Sequence, residues 1–162
     1  MRRRVDQRLA ELGLTLPPAY QAPPEARLPF QVVRIVRDRA FIAGHGPQHP
    51  DGSQAGPFGK VGADVTVEQA YQAAKLTALS MLGSLHRALG DLDRITAWGR
   101  VFGMVNCAPG FNRMPAVING CSDLILELFG PEVGAHARSA VGMAGLPFDI
   151  PVEIEGEVLI RA

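Results

Sequence analysis

Residues 66–105 read TVEQAYQAAKLTALSMLGSLHRALGDLDRITAWGRVFGMV. Thr66 and Gln69 fit the capping box that begins many helices, and behind them apolar residues recur at intervals of three and four. This pattern predicts a helix over Val67–Leu89. Residues 95–105 then alternate between two sets of side chains, which is typical of a long strand. A long helix that leads into a long strand indicates a fold that mixes α and β elements.

The segments on either side predict a hairpin before this unit and a helix with two strands after it. The predicted elements are strands at 31–36 and 39–44, a helix at about 115–129, and strands at 137–143 and 151–160. Between the hairpin and the first long helix, residues 44–62 have many turn formers and predict a long loop. The order ββαβαββ corresponds to an α+β domain in which two helices cover one face of a mixed sheet of five or six strands.

The N-terminal 27 residues differ in character from the rest of the chain. Val5, Leu9 and Leu12 are spaced for a short amphipathic helix. The prolines that follow disfavour both helix and sheet and favour an extended, polyproline-like conformation. We therefore interpret residues 1–27 as a short helix and a proline-rich arm, and residues 28–162 as a single domain.

The second face of the predicted sheet has no helix to cover it. Alternation along the third and last strands places these side chains on that face: Trp98, Arg100, Phe102, Met104, Glu153, Glu155 and Glu157. A monomer that exposed such a mixture of aromatic and charged side chains would be unusual. We therefore expect a homo-oligomer whose interface covers this face, with ligand clefts between its subunits.

The charge balance limits the classes of partner. The 162 residues contain 16 Lys and Arg and 16 Asp and Glu, so no net charge attracts nucleic acid or an anionic membrane. No apolar run is long enough for a membrane span, and the N-terminus lacks the apolar stretch of a signal peptide. Two cysteines make no disulfide framework. These features predict a cytoplasmic protein with a small-molecule ligand and no nucleic-acid partner.

Two charged positions are candidates for chemistry. Arg138 lies on a strand predicted to neighbour the acidic last strand, and its guanidinium is suited to grip a carboxylate through two hydrogen bonds. Alternatively, Arg138 only neutralises a glutamate. In the acidic row, repulsion between Glu153 and its neighbours would raise one pKa and create a general acid or base. The alternative for this row is pairing with Arg100 or exposure to solvent.

The histidines are weaker candidates. His45, His49 and Asp51 share the turn-rich loop, but their spacing matches no metal-ligand pattern, so we expect no metal site there. His86 and His136 are interpreted as solvent-facing or capping residues.

The cysteines and the glycine motifs point to no further chemistry. Cys107 and Cys121 lack a local histidine motif and resemble small buried apolar residues more than nucleophiles. Ser139 lies beside Arg138 without the Gly-x-Ser-x-Gly context of a nucleophile. No Gly-x-Gly-x-x-Gly or Walker motif follows a strand, so no nucleotide cofactor is expected.

Several motifs together resemble one known family. They are Phe41-Ile-Ala-Gly-His-Gly-Pro, Gly59-Lys-Val-Gly-Ala-Asp-Val-Thr, Gly90-Asp-Leu-Asp-Arg-Ile, Ala137-Arg-Ser-Ala-Val, Leu146-Pro and Val152-Glu-Ile-Glu. In this order and spacing, from about residue 28 to 162, the chain resembles the RidA/YjgF/UK114 family. It is most similar to a branch with a longer loop and the segment Val105-Asn-Cys-Ala-Pro-Gly-Phe.

The resemblance implies a fold, an assembly and an activity. It implies a chorismate-mutase-like fold that forms a homotrimer, with the sheets inside and ligand clefts at the three subunit interfaces. Characterised members hydrolyse reactive enamines and imines to 2-oxo acids and ammonia without a metal or cofactor. In them an arginine holds the substrate carboxylate and a glutamate positions the attacking water. These roles correspond to Arg138 and Glu153, and Ser139 is grouped with the substrate-binding residues.

Three positions depart from the pattern of active members. Ala43 replaces a serine, Ala140 replaces a cysteine, and the N-terminal Gly-Pro-Tyr motif is absent, with Phe30 expected near its place. His45 and Asn106 are predicted to supply hydrogen bonds lost by these changes. The leading hypothesis is therefore a cofactor-independent enamine or imine hydrolase acting on small carboxylates. The alternatives are a non-catalytic carboxylate-binding or sensing protein and, more weakly, an endoribonuclease.

Overall fold

Two long helices lie on one face of a five-stranded sheet in the computed structural model, which describes residues 4–161. The helices are α1 (Arg4–Glu11), α2 (Val67–Leu89) and α3 (Met114–Val133), and the strands are β1 (Val33–Val36), β2 (Arg39–His45), β3 (Ile95–Asn106), β4 (Ala137–Met143) and β5 (Val152–Ile160). The predicted α+β class and element order are confirmed. Within residues 4–161, no helix combines the length and the apolar character that a membrane crossing requires.

The strand order is β1-β2-β5-β3-β4, with only the β3–β4 pair parallel. A parallel pair needs a crossover connection, and α3 supplies it. Because this crossover carries β4 to the far side of β3, β4 does not pair with β5. The prediction that the strand of Arg138 neighbours the acidic strand is therefore wrong.

Local signals explain the boundaries of the two long helices. The Thr66 hydroxyl accepts a hydrogen bond from the Gln69 backbone N–H at 3.1 Å, and the Gln69 side chain accepts one from the Thr66 N–H at 3.0 Å. This capping box begins α2 at the predicted residue. In α3, the non-helical backbone of Gly130 breaks the helix where its end is predicted, and one further turn follows Pro131.

Trp98 lies on the helix side of the sheet rather than on the open face. The β3–β5 register shifts between Trp98 and Arg100, and such an irregularity changes the face to which later residues point. As a result, Trp98 is 2% exposed and packs edge-to-face on Phe129, with ring centroids 5.8 Å apart. The prediction that Trp98 shares a face with Phe102 is wrong.

The open face of the sheet keeps its aromatic and charged character without Trp98. The Arg100 guanidinium lies 5.2 Å from the centroid of the Phe102 ring. Arg39 Nε of β2 lies 3.0 Å from Glu157 Oε1. This ion pair joins the row of glutamates on β5 to β2. No helix within residues 4–161 packs over this face.

The predicted N-terminal helix is present and belongs to the main core. Val5 and Leu9 of α1 are buried in the same apolar cluster as the sheet and the long helices. Asp93 accepts a hydrogen bond from the Val5 backbone N–H at 3.2 Å, which holds the first turn of α1. Residues 12–32 join α1 to β1 and are called the strap below, and Pro17 in this segment lies against α2.

Candidate functional site

A cavity of about 620 Å³ opens where the strap, the end of β2, the second half of α2 and the turn at residues 147–150 meet. Its volume is typical of sites that bind small molecules. The residues that bring polar groups to its wall include Gln31, His45, Gln48, Ser84, Arg87 and Glu153. The larger apolar side chains of the wall include Tyr20, Leu28, Phe30, Val32, Phe148 and Ile150. The cavity can therefore hold a molecule with both polar and apolar parts.

Glu153 carries the carboxyl group of this wall. It pairs with Met104 across the β3–β5 ladder, so its side chain points to the open face of the sheet. The side chain is half-buried beside Gly44 of β2. Burial, and then the nearby charge of Glu155, raise the pKa of Glu153 above its ordinary value. A carboxylate with a raised pKa is a stronger base than an exposed one, which suits proton transfer near neutral pH.

His45 is held as a neutral side chain. Its Nδ1 lies 2.6 Å from the Ala43 carbonyl oxygen, and its Nε2 lies 2.8 Å from the Ser84 hydroxyl. The Ser84 oxygen also accepts a hydrogen bond from Arg87 at 3.0 Å. The Ala43 carbonyl oxygen can only accept, so Nδ1–H donates to it, and in the neutral ring Nε2 then accepts the hydrogen bond from the Ser84 hydroxyl. Burial lowers the pKa of His45, which agrees with the neutral form.

Arg138 lies outside this cavity. Its Nη1 donates to Asn119 Oδ1 at 2.9 Å and to Ser122 Oγ at 3.0 Å, and its Nη2 lies 3.5 Å from the Pro115 carbonyl oxygen. Ser122 also bonds His136 Nε2 at 2.9 Å. His136 therefore supports Arg138 through Ser122, and its Nδ1 lies 2.7 Å from the carbonyl oxygen of Gly134, the C-cap residue of α3, which agrees with the predicted capping role. The side chain of Arg138 is half-buried against the first turns of α3.

One chain does not bring Arg138 and Glu153 together. Arg138 pairs with Val101, which is buried under the helices, whereas Glu153 pairs with Met104 on the open face. The two side chains thus lie on opposite faces of the sheet with β3 between their strands. Ser139, next to Arg138, is exposed and points to the open face.

Asn106 stands behind the cavity rather than in its wall. It is fully buried, and its Nδ2 donates to the carbonyl oxygen of the wall residue Ile150 at 3.3 Å. Its Oδ1 accepts a hydrogen bond from Lys60 Nζ at 3.0 Å, and Lys60 also donates to the Ala144 carbonyl. Asn106 and Lys60 therefore join the loop before α2 to the segments that flank β4 and β5.

The remaining candidates are engaged elsewhere. Asp51 accepts hydrogen bonds from the backbone N–H and the hydroxyl of Ser53 at 2.9 and 2.6 Å. Among residues 4–161, no three His, Cys, Asp or Glu side chains gather as a metal-binding group. Burial raises the pKa of Cys121 to about 12 and also raises that of Cys107. Neither thiol is poised as a thiolate nucleophile.

Ser84 and Arg87 are two polar wall residues that the sequence did not single out. They lie three residues apart in α2, so both face the same side of the helix. A serine within the apolar stripe of a helix is the one signal that points to such a position. Phe30, expected near the place of the missing tyrosine, does line the cavity.

Comparisons with known proteins agree with this architecture. The family model described as "YjgF/chorismate mutase-like, putative endoribonuclease" matches residues 7–151. Protein TCP17 of Trypanosoma cruzi is 39% identical over 155 residues, which cover 96% of this chain and 93% of that protein.

Two solved structures are similar over nearly the whole chain. The crystal structure of protein Atu1372 from Agrobacterium tumefaciens has a TM-score of 0.83 at 39% identity, covering 97% of this chain and 92% of that one. A Shewanella oneidensis structure that carries an endoribonuclease description has a TM-score of 0.85 at 29% identity, covering 96% and 99%. From the matched model, the close relatives and the shared fold, the chain belongs to the YjgF/chorismate mutase-like family.

Proposed function

We propose that the protein is a cofactor-independent hydrolase of 2-imino acids and of the enamines that tautomerise to them, and that it acts between the subunits of a homotrimer. The observation that carries the proposal is Glu153, a half-buried carboxyl group with a raised pKa in the wall of a ligand-sized cavity. Such a group in a concave site is a candidate general base.

Glu153 would act by moving protons. As a water oxygen attacks C2 of the imino acid, Glu153 accepts a proton from the water, and the electron pair of the C=N π bond moves to nitrogen. The carboxylic acid so formed returns this proton to nitrogen and gives a carbinolamine. A second transfer, from the hydroxyl group to nitrogen through the same carboxyl, accompanies cleavage of the C–N bond. Ammonia leaves and a 2-oxo acid remains.

Arg138 would hold the substrate carboxylate from a neighbouring subunit. Its strand, β4, is at the edge of the sheet, and elsewhere on the open face the sheet exposes apolar side chains such as Phe41 of β2. Because Arg138 and Glu153 occupy opposite faces within one chain, they act on one ligand only when two copies meet. The hydrogen bonds of Arg138 to Asn119 and Ser122 would fix its guanidinium. The substrate carboxylate would then be held in place, and this positioning would contribute to the rate of hydrolysis.

A second candidate is a carboxylate-binding protein without catalysis. Ala43 lines the cavity at the position where active members of the family carry a serine, so this wall offers a methyl group in place of a hydroxyl. The endoribonuclease of the family description has less support, because the chain has no net charge and no basic stripe in its sequence.

The experiment generates 2-iminobutanoate in situ from an amino acid and an oxidase, and follows the release of 2-oxobutanoate and ammonia. We expect Glu153→Gln to lower kcat by about 10²- to 10⁴-fold. The matched control is Glu132→Gln, the same change at an exposed residue of α3, which leaves kcat unaltered.

The outcomes separate the candidates. Acceleration over buffer that needs Glu153 supports the hydrolase. Binding of 2-oxobutanoate that needs Arg138, without turnover, supports the binding protein. Cleavage of RNA that withstands stringent purification and is lost in Glu153→Gln would support the family's endoribonuclease description instead.

A further inference from the structure

The strap is held by specific contacts with α2 and with the loop after β2. The Pro17 carbonyl oxygen accepts a hydrogen bond from Arg87 Nη1 at 3.0 Å, and that of Pro18 accepts one from Gln48 Nε2 at 3.4 Å. At Gly83 of α2, a Cβ atom would lie only 2.8 Å from the Pro17 oxygen. The glycine therefore leaves the space that the strap occupies. These contacts place the strap as a built wall of the cavity that contains Glu153.

The strap brings large apolar side chains to this wall without burying them. Tyr20, Leu28 and Phe30 line the cavity and are 43%, 49% and 55% exposed. Phe148, from the turn at residues 147–150, lines the same cavity at 62% exposed. An exposed apolar group of this kind on a concave surface marks a binding site for a ligand or a partner.

The backbone around Phe148 is strained. Phe148 and its neighbour Asp149 have φ angles of 56° and 55°, in the left-handed region that residues other than glycine rarely adopt. The strained backbone does not help to bury the Phe148 ring, because this ring is the most exposed of these four apolar side chains in the wall. Strained backbone that presents a side chain to a cavity is characteristic of functional sites.

We propose that the strap and Phe148 form an apolar subsite that selects 2-imino acids, and their 2-oxo acid products, with a bulky aliphatic or aromatic side chain. The inference rests on the proposed function, since it assigns the substrate class of the Glu153 cavity. A 2-imino acid with a one- or two-carbon side chain would leave the apolar wall and much of the 620 Å³ volume unfilled. A bulky side chain buries Leu28, Phe30 and Phe148 when it binds.

A ligand accounts for these four exposed side chains better than direct packing against a second copy of the chain does, although the proposed site takes Arg138 from that copy. The four side chains share one concavity with Glu153, and with the fixed polar groups of His45 and Arg87. A few convergent polar groups in an apolar hollow are the usual composition of a small-molecule site. A subunit interface remains as an outcome of the test.

The test compares two leucines of similar exposure. Leu28 lines the cavity at 49% exposed, and Leu126 lies on α3 outside it at 39% exposed. Leu28→Ala, Leu126→Ala and Phe148→Ala are assayed with the imines formed from phenylalanine and from alanine. We expect wild-type kcat/KM to favour the aromatic imine at least ~10-fold, Leu28→Ala and Phe148→Ala to reduce this ratio several-fold, and Leu126→Ala to preserve it.

Calorimetry with the stable products separates failure of this inference from failure of the proposed function. If no imine is hydrolysed, the proposed function fails, and the affinities for 2-oxo-3-phenylpropanoate and 2-oxopropanoate decide the subsite. Tighter binding of the phenyl compound that depends on Leu28 and Phe148 supports it. Equal affinities, or a preference that survives both substitutions, overturn it. Sedimentation completes the test. If the Leu28 and Phe148 variants dissociate the oligomer but keep the preference for the phenyl compound, these side chains form a subunit interface, and the proposed subsite is overturned.

Discussion

Arg138 and Glu153 lie on opposite faces of the sheet, with β3 between their strands. Arg138 is fixed against α3 by Asn119 and Ser122, whereas Glu153 lines the cavity at the end of β2. A site that uses both residues must therefore draw them from two chains. The edge position of β4 and the uncovered open face make such an assembly geometrically reasonable.

The rate of imine hydrolysis should depend on pH through Glu153. Glu153 must be ionised to accept a proton, so kcat/KM should fall as the pH decreases through its raised pKa. Glu155→Gln removes the smaller of the two causes of that rise and should move this acid limb to lower pH. Glu157→Gln, on the same strand but paired with Arg39, serves as the control and should leave the limb in place. An unmoved limb in Glu155→Gln would argue against Glu153 as the titrating group.

The same pKa predicts a pH-dependent effect on stability. Because the pKa of Glu153 is higher in the folded than in the unfolded chain, ionising it disfavours folding. Glu153→Gln should therefore raise the free energy of unfolding at neutral pH. The gain should shrink as the pH falls through the folded pKa and disappear below the unfolded one. Thermal unfolding between pH 4 and 8 checks this expectation, and a gain that grew toward low pH would contradict it.

Gly83→Ala should displace the strap. In an exposed helix interior the change from glycine to alanine stabilises by about 1 kcal/mol, but here the new Cβ would meet the Pro17 oxygen at 2.8 Å. We expect little or no rise in Tm and faster amide hydrogen exchange in residues 12–32. Gln72→Gly and Gln72→Ala, at an exposed position of the same helix, measure the intrinsic difference between the two residues. Unchanged exchange in the strap would show that Pro17 does not need the space at Gly83.

Trp98 should behave as a core residue. Its ring is buried against Phe129, so Trp98→Ala should lower the free energy of unfolding by about 3–5 kcal/mol. Phe58→Ala, at a residue 49% exposed, should change it by less than about 0.5 kcal/mol. Urea unfolding at one fixed protein concentration measures both values. A small change in the free energy of unfolding for Trp98→Ala would contradict this and would favour the position on the open face that alternation predicts for Trp98.

Local signals were sufficient to predict the elements of the fold. The capping box at Thr66 marked the correct start of α2 and Gly90 its correct end, and β4 likewise begins and ends as predicted. Trp98 was misplaced because strict alternation cannot reveal a register shift within a strand. The adjacency of β4 was also misjudged, since strand order depends on where a crossover helix packs.

The candidate site was predictable only in part, because long-range contacts build it. Glu153 and His45 belong to motifs and do line one cavity. Ser84 and Arg87 were missed because their role depends on a hydrogen bond to His45, far away in sequence. The sequence could not show that Arg138 lies apart from Glu153, because this depends on the register of β3, β4 and β5.

The two-chain site can be tested most directly by mixing defective subunits. Arg138→Ala and Glu153→Gln chains are co-expressed with different affinity tags, and the oligomers that carry both tags are assayed for hydrolysis of 2-iminobutanoate. In the proposed trimer each interface would take Arg138 from one chain and Glu153 from the other. Unbiased mixing of the two chains should then make about a quarter of all sites intact, and the selected mixed oligomers should recover at least that share of wild-type activity. Activity no higher than that of either variant alone would contradict the account.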